Sequence, residues 1–259
     1  MHHRRLLLVL MLMLLAGGAP ALAQPAADHV IKRVLETDAW GFSGAALTAR
    51  AIVTDARGGT RQLAFAARSR RHSATLSKSL VRFSAPGDIA GVGFLQIQKA
   101  DGDDDRFLYL PELKRARRIA GNLRAGAFMG TDFSYGDLDQ RDLRQSRARL
   151  LGEESVGPHA CWRLEVTPAG AAAAYARLEL WVRKDNNVPL KTLMYNQAGV
   201  LLKTLRAQEL RRVKGRWFIT RSLMLNHQQD RRTELVIDAL DVGNDIRDEE
   251  FTVRNLERS

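Results

Sequence analysis

The 259-residue chain contains a single cysteine, Cys161. One thiol cannot form an intramolecular disulfide, so the fold must be stabilised by its core rather than by cross-links. Cys161 lies in the apolar, strand-like segment Ala160–Leu164. This setting predicts a buried small side chain rather than a reactive thiol.

The sequence also lacks the short motifs of common catalytic and metal sites. It has no G-x-S-x-G nucleophile elbow, no H-E-x-x-H zinc motif and no local Cys–His pairing. His29, His72, His159 and His227 fall in different predicted elements, and no two of them have the i, i+4 spacing of a helical metal site. We therefore expect no metal, no cofactor and no enzyme activity. A hydrolase whose site is assembled only in space remains an alternative.

An acidic stretch imitates a calcium-binding loop. Asp101, Asp103, Asp105 and Glu112 have the ligand spacing of such a loop. However, Arg106 occupies the sixth position, where the loop requires glycine, and the following residues have the pattern of a strand. An acidic hairpin turn is the better interpretation.

No apolar run is long enough to span a bilayer, which takes about 20 residues. The run Leu6–Leu15 follows a positive N-terminal region that includes Arg4 and Arg5, and it precedes the A-x-A motif Ala21–Ala23. This three-part pattern predicts a cleavable export signal over residues 1–23. The residue directly after the cleavage site is Gln24 rather than cysteine, so we expect a soluble periplasmic protein, without a lipid anchor, that forms one domain over residues 24–259.

Basic residues outnumber acidic ones. Without Arg4 and Arg5, 38 basic residues (40 − 2) face 29 acidic ones, which gives a net charge of +9. A chain this basic is attracted to anionic surfaces. Because export would separate it from nucleic acid, we expect anionic membrane head groups or an acidic protein partner instead. Many of the arginines are expected to form only the solvated faces of strands.

Hydrophobic spacing predicts one N-terminal helix followed by many strands. In Ala26–Asp38, the residues Ile31, Val34 and Leu35 fall on one helical face. From Ala46 onward, about ten to a dozen short segments alternate apolar and polar residues and are separated by tight turns. This rhythm predicts an antiparallel sheet curled into an open or closed barrel. The segment Glu112–Leu143 breaks the rhythm and is predicted to form a helical or irregular lid.

Within and beside this segment lies a set of motifs in a fixed order. They are Tyr109–Pro111, Arg117–Ile119, Phe128–Ser134 and Asp137–Leu138. Together they resemble a signature of the outer-membrane lipoprotein-sorting-like family, periplasmic proteins related to the LolA and LolB carriers. The resemblance extends more weakly over the rest of the mature chain. It implies a mainly β fold, a half-open barrel covered by helices, and a carrier function.

Five basic residues lie directly before the aromatic part of this signature: Lys114, Arg115, Arg117, Arg118 and Arg124. Leu113, Ala116 and Ile119 interrupt them at roughly helical intervals, so one side could pack on the sheet. We expect Arg115, Arg117 and Arg118 to contact anionic head groups or an acidic face of an inner-membrane transporter. A solvated basic turn is the alternative.

The signature then places large apolar side chains among glycines, an arrangement that could gate a lipid cavity. These side chains are Phe128, Met129, Phe133 and Tyr135. Ordinary core packing beneath a loop is the alternative. Asp132, in the middle of the segment, is predicted to cap a turn or to pair with a basic residue such as Arg117 or Arg118.

These patterns predict a periplasmic carrier that binds the acyl chains of a lipoprotein or lipid in a hydrophobic cavity. The alternative is a sensor or adaptor of the same fold that binds a lipid or polypeptide and signals to a membrane partner. Strand parity and the signature together predict a cavity lining of eleven residues: Leu95, Ile97, Phe107, Tyr109, Phe128, Phe133, Leu180, Val182, Leu193, Tyr195 and Leu223.

Overall fold

The computed structural model describes residues 26–37, 43–73, 76–119, 125–138, 141–169 and 173–258. The predicted export signal, its cleavage site and Arg124 lie outside these ranges. In the described part of the chain, no helix combines the length and the apolar character needed to cross a membrane.

The described residues form thirteen strands, slightly more than the number predicted. They are β1 Gly44–Thr54, β2 Thr60–Arg71, β3 Ser77–Ala85, β4 Gly93–Ile97, β5 Asp105–Leu110, β6 Arg115–Arg118, β7 Ser146–Val156, β8 His159–Pro168, β9 Arg177–Arg183, β10 Pro189–Tyr195, β11 Leu201–Val213, β12 Arg216–Asn226 and β13 Arg231–Val242. The helices α1 Ala27–Thr37, α2 Arg141–Arg144 and α3 Val253–Leu256 are short, as are the 3-10 turns Pro111–Leu113, Tyr135–Leu138 and Asp248–Phe251.

All thirteen strands belong to one antiparallel sheet, with the order β6-β5-β4-β3-β2-β1-β13-β12-β11-β10-β9-β8-β7. The chain therefore starts at the centre and builds outward through hairpins to β6. It then crosses to β7 at the opposite edge and returns strand by strand until β13 pairs with β1. The predicted mainly β, curled antiparallel fold is confirmed. The sheet is not closed into a barrel, because β6 and β7 form two separate edges.

Helix α1 covers one half of a sheet face that we call the inner face. Its Val30, Ile31 and Val34 are buried, and they pack with Leu164 and Leu180 of the sheet. The 3.6-residue spacing of these apolar side chains places them on one helical stripe, so the amphipathic pattern determines which side of the helix meets the sheet. The predicted helix is confirmed.

The C-terminal segment covers part of the opposite, outer face. Phe251 and Leu256 are almost fully buried there and pack against Leu80, Leu95 and Tyr109. The same segment reaches the edge strand, because the carboxylate of Glu257 accepts a hydrogen bond of 2.9 Å from the backbone of Ala116. Both faces of this half of the sheet are therefore apolar.

The outer face of the other half carries a buried carboxylate. Glu179 on β9 is 6% exposed and accepts hydrogen bonds from Arg163, at 2.8 Å, and from Arg177. Burial acts to raise the pKa of Glu179, but these two guanidinium groups outweigh it and hold the pKa below its ordinary value. Cys161, also on this half, is fully buried, as predicted, and burial raises the pKa of its thiol.

Candidate functional site

Between the edge strands β6 and β7, the chain forms a compact loop over residues 126–135, which we call the hook. The backbone N–H of Phe128 donates to the carbonyl of Phe133 at 2.7 Å, and Tyr135 donates to Gly126 at 3.1 Å. The reversal between them uses positive φ angles at Met129 (50°) and Gly130 (79°). Glycine adopts this conformation without steric cost, so the signature's glycine has a structural role in the turn.

The hook is held against the centre of the sheet by the carboxylate of Asp132. Thr233 on β13 donates its hydroxyl to Asp132 Oδ2 at 2.7 Å and accepts the Asp132 backbone N–H at 2.9 Å. Asn226 on β12 donates to Asp132 Oδ1 at 3.1 Å. Arg231 donates to the Gly130 carbonyl at 2.7 Å and places its Nε 3.7 Å from Asp132 Oδ1.

These contacts identify the basic residue that pairs with Asp132. Asp132 pairs with Arg231, not with Arg117 or Arg118. Those two arginines belong to β6 at the edge of the sheet, whereas the hook reaches the strands β12 and β13 at its centre.

A second signature carboxylate secures the end of the hook. Asp137 Oδ2 accepts the backbone N–H of Ser134 at 2.7 Å and the hydroxyl of Tyr175 at 3.1 Å. The ammonium of Lys203 on β11 lies 3.6 Å from the same oxygen. The two aspartates of the signature therefore attach the hook to three adjacent strands, β11, β12 and β13.

The ring of Phe128 inserts from the hook into an aromatic cluster on the inner face. Its centroid lies 5.8 Å from Phe83, 5.6 Å from Phe94 and 5.4 Å from Tyr135. Tilted and edge-on contacts at these distances stabilise more than area burial alone. Burial also raises the pKa of the Tyr135 hydroxyl.

Between the hook and the inner face lies a cavity of about 240 Å³. Its floor is formed by β1 to β4 and β13, and its cover by the hook and Asp137. Its lining is mostly apolar, with polar groups at Ser79, Gln96, Thr131 and Asp137. The other lining residues are Leu47, Ala49, Ala51, Phe65, Ala67, Val81, Phe83, Phe94, Phe128, Phe133, Leu235 and Ile237.

Of the eleven predicted lining residues, two belong to the hook and two lie on the inner face of the sheet. Phe128 and Phe133 line the cavity itself. Leu180 and Val182 pack beside it, in the cluster covered by α1.

The other seven do not line this cavity. Leu95, Ile97, Phe107 and Tyr109 pack beneath the C-terminal segment on the outer face. Leu193, Tyr195 and Leu223 also point outward, since they alternate with Met194 and Met224 of the inner cluster. Alternation correctly groups residues onto one face, but it does not distinguish the inner from the outer face when both are apolar.

Sequence reasoning missed most of the floor, including Ala49, Phe65, Ala67 and Phe94. These residues have the same parity along paired strands: Ala49 faces Phe65, and Ala67 faces Val81. The sequence signal for a cavity was the presence of small and aromatic side chains on adjacent strands. Small residues on one face of a sheet leave space that leucines at the same positions would fill.

Within the segment predicted to include a helical or irregular lid, the basic residues form a strand, and the irregular hook follows them. Arg115–Arg118 forms β6, which pairs with β5 at the sheet edge. Arg115, Arg117 and Arg118 are all exposed. Arg118 forms an ion pair with Asp105, whose pKa is lowered first by a hydrogen bond from Lys99 and then by Arg118.

Comparison with known proteins gives a consistent result. No curated protein matches the chain. A model of a family described as "Uncharacterized protein" matches residues 75–258. A putative outer membrane lipoprotein-sorting protein domain from Vibrio parahaemolyticus is 28% identical, with a TM-score of 0.84 over 90% of this chain and 98% of that one.

Two further solved structures have the same fold. A DUF1329 family protein from Desulfovibrio piger is 24% identical, with a TM-score of 0.83 over 90% of this chain and 100% of that one. A LolA superfamily protein from Nitrosomonas europaea is 19% identical, with a TM-score of 0.72 over 88% and 98%. With its signature segment, its open curled sheet and these similarities, the chain belongs to the outer-membrane lipoprotein-sorting-like family.

Proposed function

We propose that the protein is a periplasmic carrier that binds an acyl chain of a lipoprotein or lipid in the cavity beneath the hook. The observation that carries the proposal is the apolar cavity of about 240 Å³ between the hook and the inner face. Carrying an acyl chain through water requires shielding and no covalent chemistry, because each exposed CH₂ group costs about 0.8 kcal/mol.

The size of the cavity limits what it holds. A methylene group fills roughly the volume of one liquid water molecule, about 30 Å³. A cavity of about 240 Å³ therefore accommodates about eight methylenes, that is, most of one medium-length chain. At about 0.8 kcal/mol each, these contribute roughly 6 kcal/mol, which corresponds to a dissociation constant of tens of micromolar. Such an affinity permits both capture and release.

Blocking the cavity tests the proposal. Ala67 lines the cavity, whereas its neighbour Ala66 is exposed on the outer face of the same strand. Ala67→Phe should fill much of the space and weaken binding of a fluorescent medium-chain acyl probe at least tenfold. Ala66→Phe should leave binding unchanged.

Circular dichroism should show that both variants fold. Equal probe binding by folded Ala67→Phe and wild-type protein would refute the proposed binding site.

The exposed arginines of β6 fit a role in loading or release. Arg115, Arg117 and Arg118 present positive charge on the edge strand from which the chain leaves toward the hook. In our proposal they contact anionic head groups, or an acidic face of an inner-membrane transporter. Such exposed contacts are screened over about 8 Å at physiological salt, so they should weaken as salt rises.

Vesicle exchange tests this role. Arg115→Gln with Arg117→Gln should slow transfer of the acyl probe to anionic vesicles at low salt and leave its equilibrium binding unchanged. The matched control removes two exposed arginines from β11, Arg211→Gln with Arg212→Gln. If both pairs slow transfer equally, net charge rather than β6 is responsible.

A further inference from the structure

A row of polar side chains crosses the inner face at one end of the cavity. Ser69 on β2 lies opposite Ser79 on β3, Ser79 lies opposite Gln96 on β4, and Gln96 lies opposite Arg106 on β5. Directly paired residues share a face of the sheet. Because Ser79 and Gln96 line the cavity, the whole row lies on the cavity side.

Three members of the row are buried although they are polar, and the fourth, Ser79, is partly exposed. Ser69 is 2% exposed, Gln96 3% and Arg106 2%. Asp104, itself 3% exposed, accepts hydrogen bonds from Gln96 at 3.0 Å and from Arg106 at 2.8 Å. This arrangement fixes the Gln96 side chain at the cavity wall.

The two serines differ from the rest of the row. Among the residues that the structure describes, neither the Ser69 nor the Ser79 hydroxyl has a hydrogen-bond partner. Ser69 is buried and Ser79 is half-buried, and a hydroxyl that is largely shielded from water favours a hydrogen-bond partner because an unmade bond is costly. Hydroxyls beside an apolar cavity are therefore suited to a ligand that supplies the missing acceptor.

The charges around the cavity restrict that acceptor to a neutral group. The positive charge of Arg106 is balanced by Asp104, and the carboxylate of Asp137 lies in the same lining next to Lys203. An ionised ligand would bring an additional charge without a counter-charge, which is strongly unfavourable in an apolar site. A carbonyl oxygen accepts hydrogen bonds without this penalty.

We propose that the row Ser69–Ser79–Gln96 is a subsite for the neutral carbonyl of an ester-linked or amide-linked acyl chain, whose methylenes extend toward the aromatic end of the cavity. On β3, Ser79 is four residues from Phe83 of that aromatic end, a distance of about 13 Å along the strand. The subsite selects linked acyl chains over free fatty acids. This inference rests on the proposed carrier function and adds the chemical class of the ligand.

Three probes of equal chain length test the subsite: methyl decanoate, decane and ionised decanoate, each competing with a fluorescent acyl probe. Ser69→Ala with Ser79→Ala should weaken methyl decanoate binding about tenfold, the effect expected from losing one to two net hydrogen bonds. Decane binding should change less than twofold. Ser155→Ala, an exposed serine on β7, is the matched control and should change neither.

The outcomes separate this inference from the carrier proposal. If the double substitution leaves methyl decanoate unaffected, or weakens decane equally, the subsite is refuted while the carrier proposal stands. Decanoate binding as tight as methyl decanoate would also refute the selection of a neutral group. If none of the probes binds wild-type protein, the carrier proposal fails and the subsite fails with it. Since neither hydroxyl has a hydrogen-bond partner among the described residues, the variant should fold as stably as wild type.

Discussion

Replacing Asp132 by alanine should release the hook from the sheet. The carboxylate of Asp132 is 2% exposed and accepts hydrogen bonds from Thr233 and Asn226. Hydrogen bonds to a charged group contribute about 1.5–3 kcal/mol each. The substitution also leaves the fully buried Thr233 hydroxyl without its acceptor. We expect the free energy of hook opening to fall by about 3 kcal/mol, or on the order of a hundredfold in the opening equilibrium.

Amide hydrogen exchange measures this opening directly. The amides of Phe128 and Tyr135, which are bonded within the hook, should exchange on the order of a hundredfold faster in Asp132→Ala. A matched control is Asp238→Ala, which removes an exposed aspartate paired with Arg50 at 2.7 Å. Exposed pairs contribute only about 0–1 kcal/mol, so this variant should leave the hook unchanged. Unaltered exchange in Asp132→Ala, or equal acceleration in both variants, would refute the anchoring role.

Three further predictions concern the framework around the cavity. Cys161, fully buried with a raised thiol pKa, should react with a thiol reagent only after denaturation, and rapid labelling of the native protein would contradict its burial. Because the pKa of Glu179 is lowered in the folded state, its carboxylate stabilises the fold above the ordinary pKa of 4.5, and this stabilisation is lost as pH falls through the folded pKa. Urea unfolding at different pH values should therefore show that Glu179→Gln loses less stability on acidification than wild type. Identical pH profiles would contradict this. Gly44→Ala would push a methyl group into the carbonyl oxygen of Asn244 and should clearly lower the urea midpoint of unfolding. The control Gly87→Ala places its methyl group where no atom lies within 4 Å and should change the midpoint little. Equal midpoints would count against the close approach of Gly44 to Asn244.

Local sequence patterns were sufficient for most of the framework. The spacing of Ile31, Val34 and Leu35 predicted α1 because a helix needs one apolar stripe to pack on a sheet. Alternation predicted the strands, and the signature placed Phe128 and Phe133 at the cavity. These features depend on neighbours within a few residues, which periodicity captures.

The remaining features depend on contacts between distant parts of the chain. Leu95 and Phe94 alternate on β4, and both are buried, because the C-terminal segment covers one face and the hook the other. Neither cover is visible from the strand itself. The partner of Asp132 lies about a hundred residues away, on β13.

Short elements posed a different problem. The segment Arg115–Arg118 has four residues, too few to separate a helical period of 3.6 from a strand period of 2. Pairing with β5 at the sheet edge decided its conformation.

The most direct test of the carrier function is to identify what the protein holds when it is isolated from its own cells. Native mass spectrometry of wild-type protein and of Ala66→Phe should show one acyl-bearing ligand per chain. Ala67→Phe should carry none, because its new side chain fills the cavity beneath the hook. Wild-type protein that carries no acylated ligand, or folded Ala67→Phe that retains it, would contradict the account.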